Sequence, residues 1–174
     1  MLITNEKELE YHCSKINKEQ FIAIDTEFMR NKTYYPVPCL LQIAYSEAAF
    51  AVDLLSPMNL ECVKKILKNK KIKKVFHSCK QDLEVLSIMF GILPSNIFDT
   101  QIAAQFLGFE ITPSYNKLVE KYLGLTVSKD LQFSNWQSRP LSDVQIKYAI
   151  DDVVHLYQIY LVMNKELVAK KYLS

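Results

Sequence analysis

Short apolar runs typical of β-strands dominate the first third of the chain. Three of them follow one another closely: FIAIDTEF at 21–28, CLLQIAYS at 39–46 and AAFAVDL at 48–54. Their alternating pattern and bounding turn residues predict three strands. Because a parallel crossover needs a dozen or more residues, the short connections predict antiparallel neighbours. The charged opening NEKELEYHCSKI, at 5–16, is compatible with a preceding helix.

From residue 58 onward the apolar positions recur mostly at helical spacing. In order, the pattern predicts a helix at 58–70, a strand at 73–78, a helix at 80–91, a strand that turns into a helix at 97–108, and helices at 115–124 and 143–167. Ser142 and Gln145 have the capping-box spacing that opens the last helix. Three strands followed by alternating helices and strands predict one mixed α/β layer fold with helices on both faces of its sheet.

Two carboxylates end the first predicted strand. Successive side chains of an extended chain alternate between faces, so Asp25 and Glu27 point to one side and Thr26 to the other. Two acids held side by side repel each other, and burial adds the cost of removing each charge from water. The pattern therefore predicts a compensating positive charge at this point.

Two further acidic positions belong with this pair. Asp82 falls in the first turn of the helix after the strand at 73–78, near the strand end where sites in α/β sheets gather. Stabilisation of the helix dipole is the alternative explanation. Tyr148 and Asp152 are four residues apart on the long helix and share a face, which also suits a simple hydrogen-bonded pair. Each motif by itself has a structural explanation.

Taken together, the acids resemble the three motifs of the DEDD 3′-5′ exonuclease superfamily, in its tyrosine-containing branch. Four stretches, in the same order and with compatible spacing, resemble the catalytic domain of ribonuclease D: DTEFMRNKTYYPVPCLLQIA, FHSCKQDLEVL, DTQIAAQFLG and WQSRPLSDVQIKYAIDDV. The resemblance covers roughly residues 20–160. It implies a ribonuclease H-like mixed β-sheet, with three antiparallel strands and then parallel strands, flanked by helices.

The same resemblance implies cofactors and catalytic residues. Residues that match Asp25, Glu27, Asp82 and Asp152 hold two divalent cations, Mg²⁺ or Mn²⁺, in this family, and hard oxygen ligands suit such ions. By analogy, Asp25 bridges the two ions. Glu27 and Asp152 complete one site, and Asp82 supports the other. Tyr148 is expected to orient the attacking water, because a phenol with a pKa of about 10 is a poor general base.

Substrate contacts are predicted at Thr26, Phe28, Gln42, His77 and Arg139. Phe28 would stack on the terminal base, with core packing as the alternative. His77 would face the substrate or serve as a structural histidine, and Gln42 matches a family position. Arg139 is one of only two arginines. It is suited either to bidentate recognition of a phosphate or to a structural ion pair with a carboxylate.

Composition limits the number of domains, the source of any nucleic-acid affinity and the cellular location. The 174 residues, 49% of them hydrophobic, predict one compact domain over 1–174. The resemblance implies that this is a single 3′-5′ exonuclease domain, without the C-terminal helical RNA-binding domains that usually follow it in ribonuclease D. A net charge of +2 means that nucleic-acid affinity must come from local charge placement. Four widely spaced cysteines, no signal-peptide pattern and no run of roughly 20 apolar residues predict a cytoplasmic protein with no membrane partner.

The leading hypothesis is a metal-dependent 3′-5′ exoribonuclease that releases nucleoside 5′-monophosphates from RNA with a free 3′ end, as in 3′ processing of small stable RNAs. A DNA-directed exonuclease is a close alternative, since a preference for RNA would depend on a contact to the 2′-hydroxyl. The other class is a catalytically silent nucleic-acid-binding module of the same fold. Retention of all four acids and Tyr148 argues against it, because silent versions are expected to lose metal ligands. The sequence does not identify a protein partner.

Overall fold

The computed structural model describes residues 1–30, 33–128, 131 and 134–172. Six strands and six helices follow one another in this part of the chain: β1 (Leu2–Ile3), α1 (Glu6–Ile16), β2 (Phe21–Met29), β3 (Val37–Tyr45), β4 (Ala48–Asp53), α2 (Glu61–Lys68), β5 (Lys73–Phe76), α3 (Lys80–Phe90), β6 (Ile97–Asp99), α4 (Thr100–Phe106), α5 (Tyr115–Leu123) and α6 (Asp143–Ala169). Every predicted strand and helix is confirmed, with bounds that differ by a few residues. β1 was not predicted, because two residues carry no periodicity.

The strands form one six-stranded sheet in the order β1-β4-β3-β2-β5-β6. β2 pairs with β3, and β3 with β4, in antiparallel fashion. β5 lies parallel to β2, and β6 lies parallel to β5. β1 adds a short parallel strand beside β4. The predicted antiparallel meander followed by parallel strands is therefore confirmed.

The first face of the sheet is covered by α1, α2 and α3. Alternate residues of β2 and β3, among them Ile22, Ile24, Leu41 and Ile43, pack there against the apolar sides of the three helices. All four side chains are at most 1% exposed. This is the largest cluster of the described core. Its burial stabilises the part of the sheet that leads into the carboxylates at the end of β2.

The second face is covered by α6, with α4 and α5 packed on it. The small side chains Ala23 and Ala44 lie under Val153 and Leu156 of α6, so the 27-residue helix approaches the sheet closely. It contacts β2, β3, β4 and β5 in turn. None of the described helices, α6 included, is long and apolar enough to cross a membrane.

The ends of the helices follow from local sequence. Ser142 and Gln145 form both hydrogen bonds of the predicted capping box at the start of α6. α3 ends at Gly91, whose φ of 65° lies in the left-handed region, and its N–H bonds to the carbonyl of Ser87. Glycine adopts this conformation without the penalty that a Cβ brings.

Candidate active site

The C-terminal half of β2 sends its side chains to two layers. Asp25 and Glu27 share the face of Ala23, which lies under α6. Thr26 points the other way, and its hydroxyl donates a 2.6 Å hydrogen bond to Oδ1 of Asp82 on α3. Its backbone N–H donates to Oδ1 of Asp25 at 2.9 Å. Thus the predicted alternation is present, and Thr26 connects Asp25 to Asp82 by hydrogen bonds to both.

Asp82 reaches the same place because of the sheet order. β5 lies parallel to β2 and directly beside it, so α3, which follows β5 after a short turn, begins near the C-terminal end of β2. Asp82 lies in the first turn of α3 and is 7% exposed. A carboxylate so deeply buried needs partners, and the Thr26 hydroxyl is one.

Asp152 comes from the opposite layer. α6 crosses β2, and Tyr148 and Asp152 occupy successive turns of the helix side that faces the cleft. Asp152 is 8% exposed. The hydroxyl of Tyr115, on α5, donates to the backbone carbonyl of Asp152 at 2.5 Å. α5 therefore helps to hold this turn of α6 in place.

All five predicted catalytic side chains line a single cleft of about 690 Å³: Asp25, Glu27, Asp82, Tyr148 and Asp152. The cleft also contains the predicted substrate contacts Thr26, Phe28 and His77, together with further residues from the start of α5 and the loop before α6. These side chains come from β2, α3 and α6, and more than a hundred positions separate the first from the last in the sequence. The fold brings them together.

Burial and mutual repulsion raise the pKa values of these carboxyl groups. Burial raises the pKa of Asp25 to about 6, against hydrogen bonds that lower it. Burial, followed by repulsion from the other three carboxylates, raises the pKa of Glu27 to about 10. The same two causes raise the pKa of Asp152 to about 8 and that of Asp82 well above its ordinary value. The cluster therefore retains protons at neutral pH unless positive charge compensates it.

Tyr148 also remains protonated. Burial raises its pKa, and the negative charges of Asp152, Glu27 and Asp25 raise it further. A phenol in this environment keeps its proton at any pH at which proteins work, so it can donate a hydrogen bond but cannot accept a proton from water.

The donor chemistry of the cleft fits hard divalent cations. Four carboxylates face one space, and cations would relieve the repulsion that raises their pKa values. Within the described chain, no three His, Cys, Asp or Glu side chains form a group that could hold a metal ion as they stand. The fit therefore lies in the chemistry of the side chains and in their shared cleft. Binding would require the carboxylates to lose their protons and to turn towards the ion.

Comparison with known proteins identifies the family. Residues 1–168 match the family described as 3′-5′ exonuclease. The chain belongs to the 3′-5′ exonuclease family. Exonucleases of this family depend on divalent metal ions.

Two bacterial relatives illustrate the extent of the match. A ribonuclease D from Granulibacter bethesdensis is 39% identical over 95% of this chain and 42% of its own length. One from Zymomonas mobilis is 43% identical over 95% of this chain and 43% of its own length. The chain thus spans less than half the length of these relatives. The resemblance to ribonuclease D that the sequence motifs indicate is confirmed.

A solved structure supports the fold. Escherichia coli ribonuclease D, an exoribonuclease involved in structured RNA processing, is 35% identical and superimposes with a TM-score of 0.94 over 99% of this chain and 46% of its own. The six-stranded mixed sheet with flanking helices is therefore the predicted ribonuclease H-like fold.

The predicted substrate contacts differ in whether they line the cleft. Phe28 and His77 line the cleft, and Thr26 lines it with its hydroxyl bound to Asp82. Burial lowers the pKa of His77 to about 4, and its Nδ1 lies 3.0 Å from the Thr100 hydroxyl. His77 is therefore neutral and held in place, which agrees with the structural alternative while leaving its ring at the cleft.

Two of the predicted contacts lie outside the cleft lining. Arg139 binds Asp53 through two hydrogen bonds of 2.7 and 2.6 Å, which is the structural ion-pair alternative. Gln42 is fully buried in the middle of β3, opposite Asp25 in the strand register, and its amide atoms have no hydrogen-bond partner in the described chain. The structure thus gives neither side chain a position at a substrate.

Several residues of the cleft escaped the sequence interpretation. Tyr115, Ser114 and Asn116, at the start of α5, line it. For these three, the only local signal was the helix start after Pro113, which does not indicate what the helix faces. Arg30, directly after β2, lines it as well, and as one of only two arginines it was a candidate for binding a phosphate or a carboxylate. Arg30 forms a 2.5 Å ion pair with Glu84 of α3, a partner that only the tertiary structure reveals.

Proposed function

We propose that this chain hydrolyses RNA from a free 3′ end and releases nucleoside 5′-monophosphates, with the assistance of two divalent cations, Mg²⁺ or Mn²⁺. The observation that carries the proposal is the convergence of four carboxylates with raised pKa values on one cleft, beside a protonated tyrosine. E. coli ribonuclease D, which acts as an exoribonuclease, provides the analogy for the reaction.

Asp25, Glu27, Asp82 and Asp152 would hold the cations. When bound, divalent cations lower the pKa of an attacking water and stabilise negative charge on the leaving oxygen. The chain itself supplies the rest. Thr26 fixes one oxygen of Asp82 by its hydrogen bond. The Tyr148 hydroxyl keeps its proton, shares a hydrogen bond with the Asp152 carboxyl and would orient the water by a further hydrogen bond.

The preference for RNA over DNA is the finer part of the proposal. A metal-assisted cleft acts on a phosphodiester whatever the sugar, so discrimination requires a contact to the 2′-hydroxyl. The polar side chains of Ser114 and Asn116 line the same cleft as the β2 acids and are suited to such a contact. In the cell we propose 3′ trimming of small stable RNAs in the cytoplasm.

The test is product analysis on RNA and DNA of one sequence, labelled at either end, with Mg²⁺ or Mn²⁺. A 3′ label should appear at once as a mononucleotide, whereas 5′-labelled substrate should shorten step by step, faster for RNA than for DNA. Faster hydrolysis of DNA would select the DNA-directed alternative. Binding of RNA without hydrolysis under any metal would select the silent module.

A pair of neighbouring residues on α6 offers a matched control. Asp152→Asn should abolish hydrolysis because Asp152 lines the cleft. Asp151→Asn should leave it nearly unchanged, because Asp151 lies outside the cleft lining and forms an ion pair with Lys147. Equal activity of the two variants would contradict the assignment of the site.

A further inference from the structure

The hairpin between β2 and β3 presents two aromatic side chains to solvent. Tyr34 is 85% exposed and Tyr35 is 62% exposed, and Tyr34 has the largest exposed fraction among the large apolar side chains of the described chain. Their rings meet edge to face, with centroids 4.9 Å apart and an interplanar angle of 87°. Neither ring belongs to a cluster of the described core. Core packing therefore does not explain why two aromatic residues occupy this place.

The position of the hairpin relates the pair to the cleft. Met29 pairs with Val37 at the end of the sheet where the β2 acids lie, so Tyr34 and Tyr35 belong to the connection at that end. Met29 and Arg30, at the start of the connection, line the cleft. Four residues span at most about 14 Å, which bounds the distance between the backbones of Arg30 and Tyr34. The tyrosines thus lie outside the cleft lining, but Tyr34 lies within this distance of Arg30, which belongs to that lining.

The chemistry of the hairpin suits single-stranded nucleic acid. Proteins that hold single strands combine basic side chains, which follow the backbone, with aromatic rings on which bases stack. Arg30 lines the cleft with a guanidinium that pairs with Glu84 and is still 39% exposed, and the exposed rings of Tyr34 and Tyr35 follow it in the sequence. Both rings are largely exposed, so their faces are open to a base.

We propose that Tyr34 and Tyr35 form a base-stacking platform for a nucleotide upstream of the scissile bond. The proposal rests on the proposed function, because it takes the strand to enter the cleft with its 3′ end. It predicts that substrates too short to reach the platform lose affinity, and that the protein selects unpaired bases, since a base within a duplex offers no free face. The platform determines how long a strand must be to bind well.

The first experiment measures hydrolysis of a series of oligoribonucleotides from two to ten residues by the full chain with Mn²⁺. Tyr34→Ala with Tyr35→Ala should raise KM roughly tenfold for the longer substrates, as expected for the loss of one stacked base. The dinucleotide should be hydrolysed at the parent rate. Tyr34→Phe, which keeps the ring, should behave like the parent. Tyr11→Ala removes a tyrosine that is 56% exposed on α1, outside the cleft lining, and should change nothing.

An equal loss of hydrolysis for the dinucleotide and for the longer substrates would overturn the platform, because the substitutions would then act at the reacting centre or on folding. An unchanged KM for every length would overturn it too. A weakened Tyr34→Phe variant would show that the hydroxyl and not the ring face is needed, which also contradicts stacking.

A second measurement separates this inference from the proposed function. Fluorescence anisotropy with a labelled single-stranded RNA decamer, using the Asp25→Asn chain, reports binding without cleavage. The double tyrosine variant should bind roughly tenfold more weakly in this background, while a blunt duplex should bind both chains equally. If the parent chain hydrolyses no RNA but the double tyrosine variant still binds RNA more weakly, the platform is retained and the exonuclease proposal is rejected. Hydrolysis with unaltered binding would reject the platform alone.

Discussion

The hydroxyl of Thr26 donates a 2.6 Å hydrogen bond to Oδ1 of Asp82. This contact joins β2 to α3 at the point where Asp25 and Glu27 leave the other side of the strand. Asp82 and Thr26 are 7% and 6% exposed, so the bond is shielded from water. The hydroxyl favours the charged form of Asp82, and it acts against the burial and repulsion that raise the pKa of this carboxyl.

Thr26→Val should weaken metal binding while preserving the fold. Valine has the shape of threonine but cannot donate, so Asp82 would hold its proton more tightly and lose its orientation. Loss of such a supporting bond typically weakens metal affinity by about 10- to 100-fold. The Mn²⁺ concentration that gives half of the maximal rise in melting temperature measures it. Thr26→Ser should restore the parent value, and a Thr26→Val chain with unchanged Mn²⁺ dependence would show that the bond has no such role.

The metal-free chain should lose stability as pH rises from 5 to 9. A carboxyl whose pKa is higher in the folded than in the unfolded chain binds more protons when folded, so its contribution declines with rising pH. Asp25, Asp152 and Glu27 have pKa values of about 6, 8 and 10, so the decline should extend across this window. A loss of about 2 kcal/mol would lower the melting temperature by roughly 4–8 °C.

Glu27→Gln isolates the cause of this decline. Glutamine cannot ionise, so the variant should show a flatter dependence of melting temperature on pH and should be more stable than the parent at pH 9. Groups outside the cleft, such as Lys74, titrate alike in both chains. Saturating Mn²⁺ should raise the parent curve most at high pH, where the carboxylates are free of protons. Parallel pH curves for the two proteins would contradict the raised pKa of Glu27.

Tyr148→Phe should reduce kcat and leave substrate binding nearly intact. The phenol is protonated and lines the cleft beside Asp152, so its removal costs a hydrogen-bond donor but no metal ligand. Removal of one oriented donor typically costs roughly 100-fold in kcat. The pH profile of the parent should show no group with the pKa of an ordinary tyrosine. An activity that rises in the parent as a phenol deprotonates, and does not rise in Tyr148→Phe, would assign the tyrosine a role as general base.

The two arginines should differ sharply in their effect on stability. Arg139 binds the buried carboxylate of Asp53 through two hydrogen bonds, so Arg139→Leu should lower the free energy of unfolding by about 3 kcal/mol. The Arg30 pair with Glu84 is 39% exposed on both sides, and Arg30→Leu should cost less than about 1 kcal/mol. Urea denaturation measures both. If Arg139→Leu proved as stable as Arg30→Leu and lost nuclease activity, Arg139 would be a substrate contact after all.

The order of secondary structure could be predicted in full except for β1, because strands and helices of ordinary length leave a local periodicity. The face on which each acid points could be predicted as well. Alternation along β2 separates Asp25 and Glu27 from Thr26, and the four-residue spacing on α6 aligns Tyr148 with Asp152. Such features depend only on backbone geometry within a few residues.

The partners of these faces were decided by the tertiary structure. Asp82 meets Thr26 because β5 pairs with β2, and Tyr115 supports Asp152 because α5 packs on α6. By its sequence, Arg139 was equally suited to bind a phosphate or a carboxylate. In the structure its guanidinium lies 2.6 Å from the carboxylate of Asp53. Local periodicity determines the side from which a residue projects. Only the packing of distant elements, driven by burial of their apolar faces, determines what it meets there.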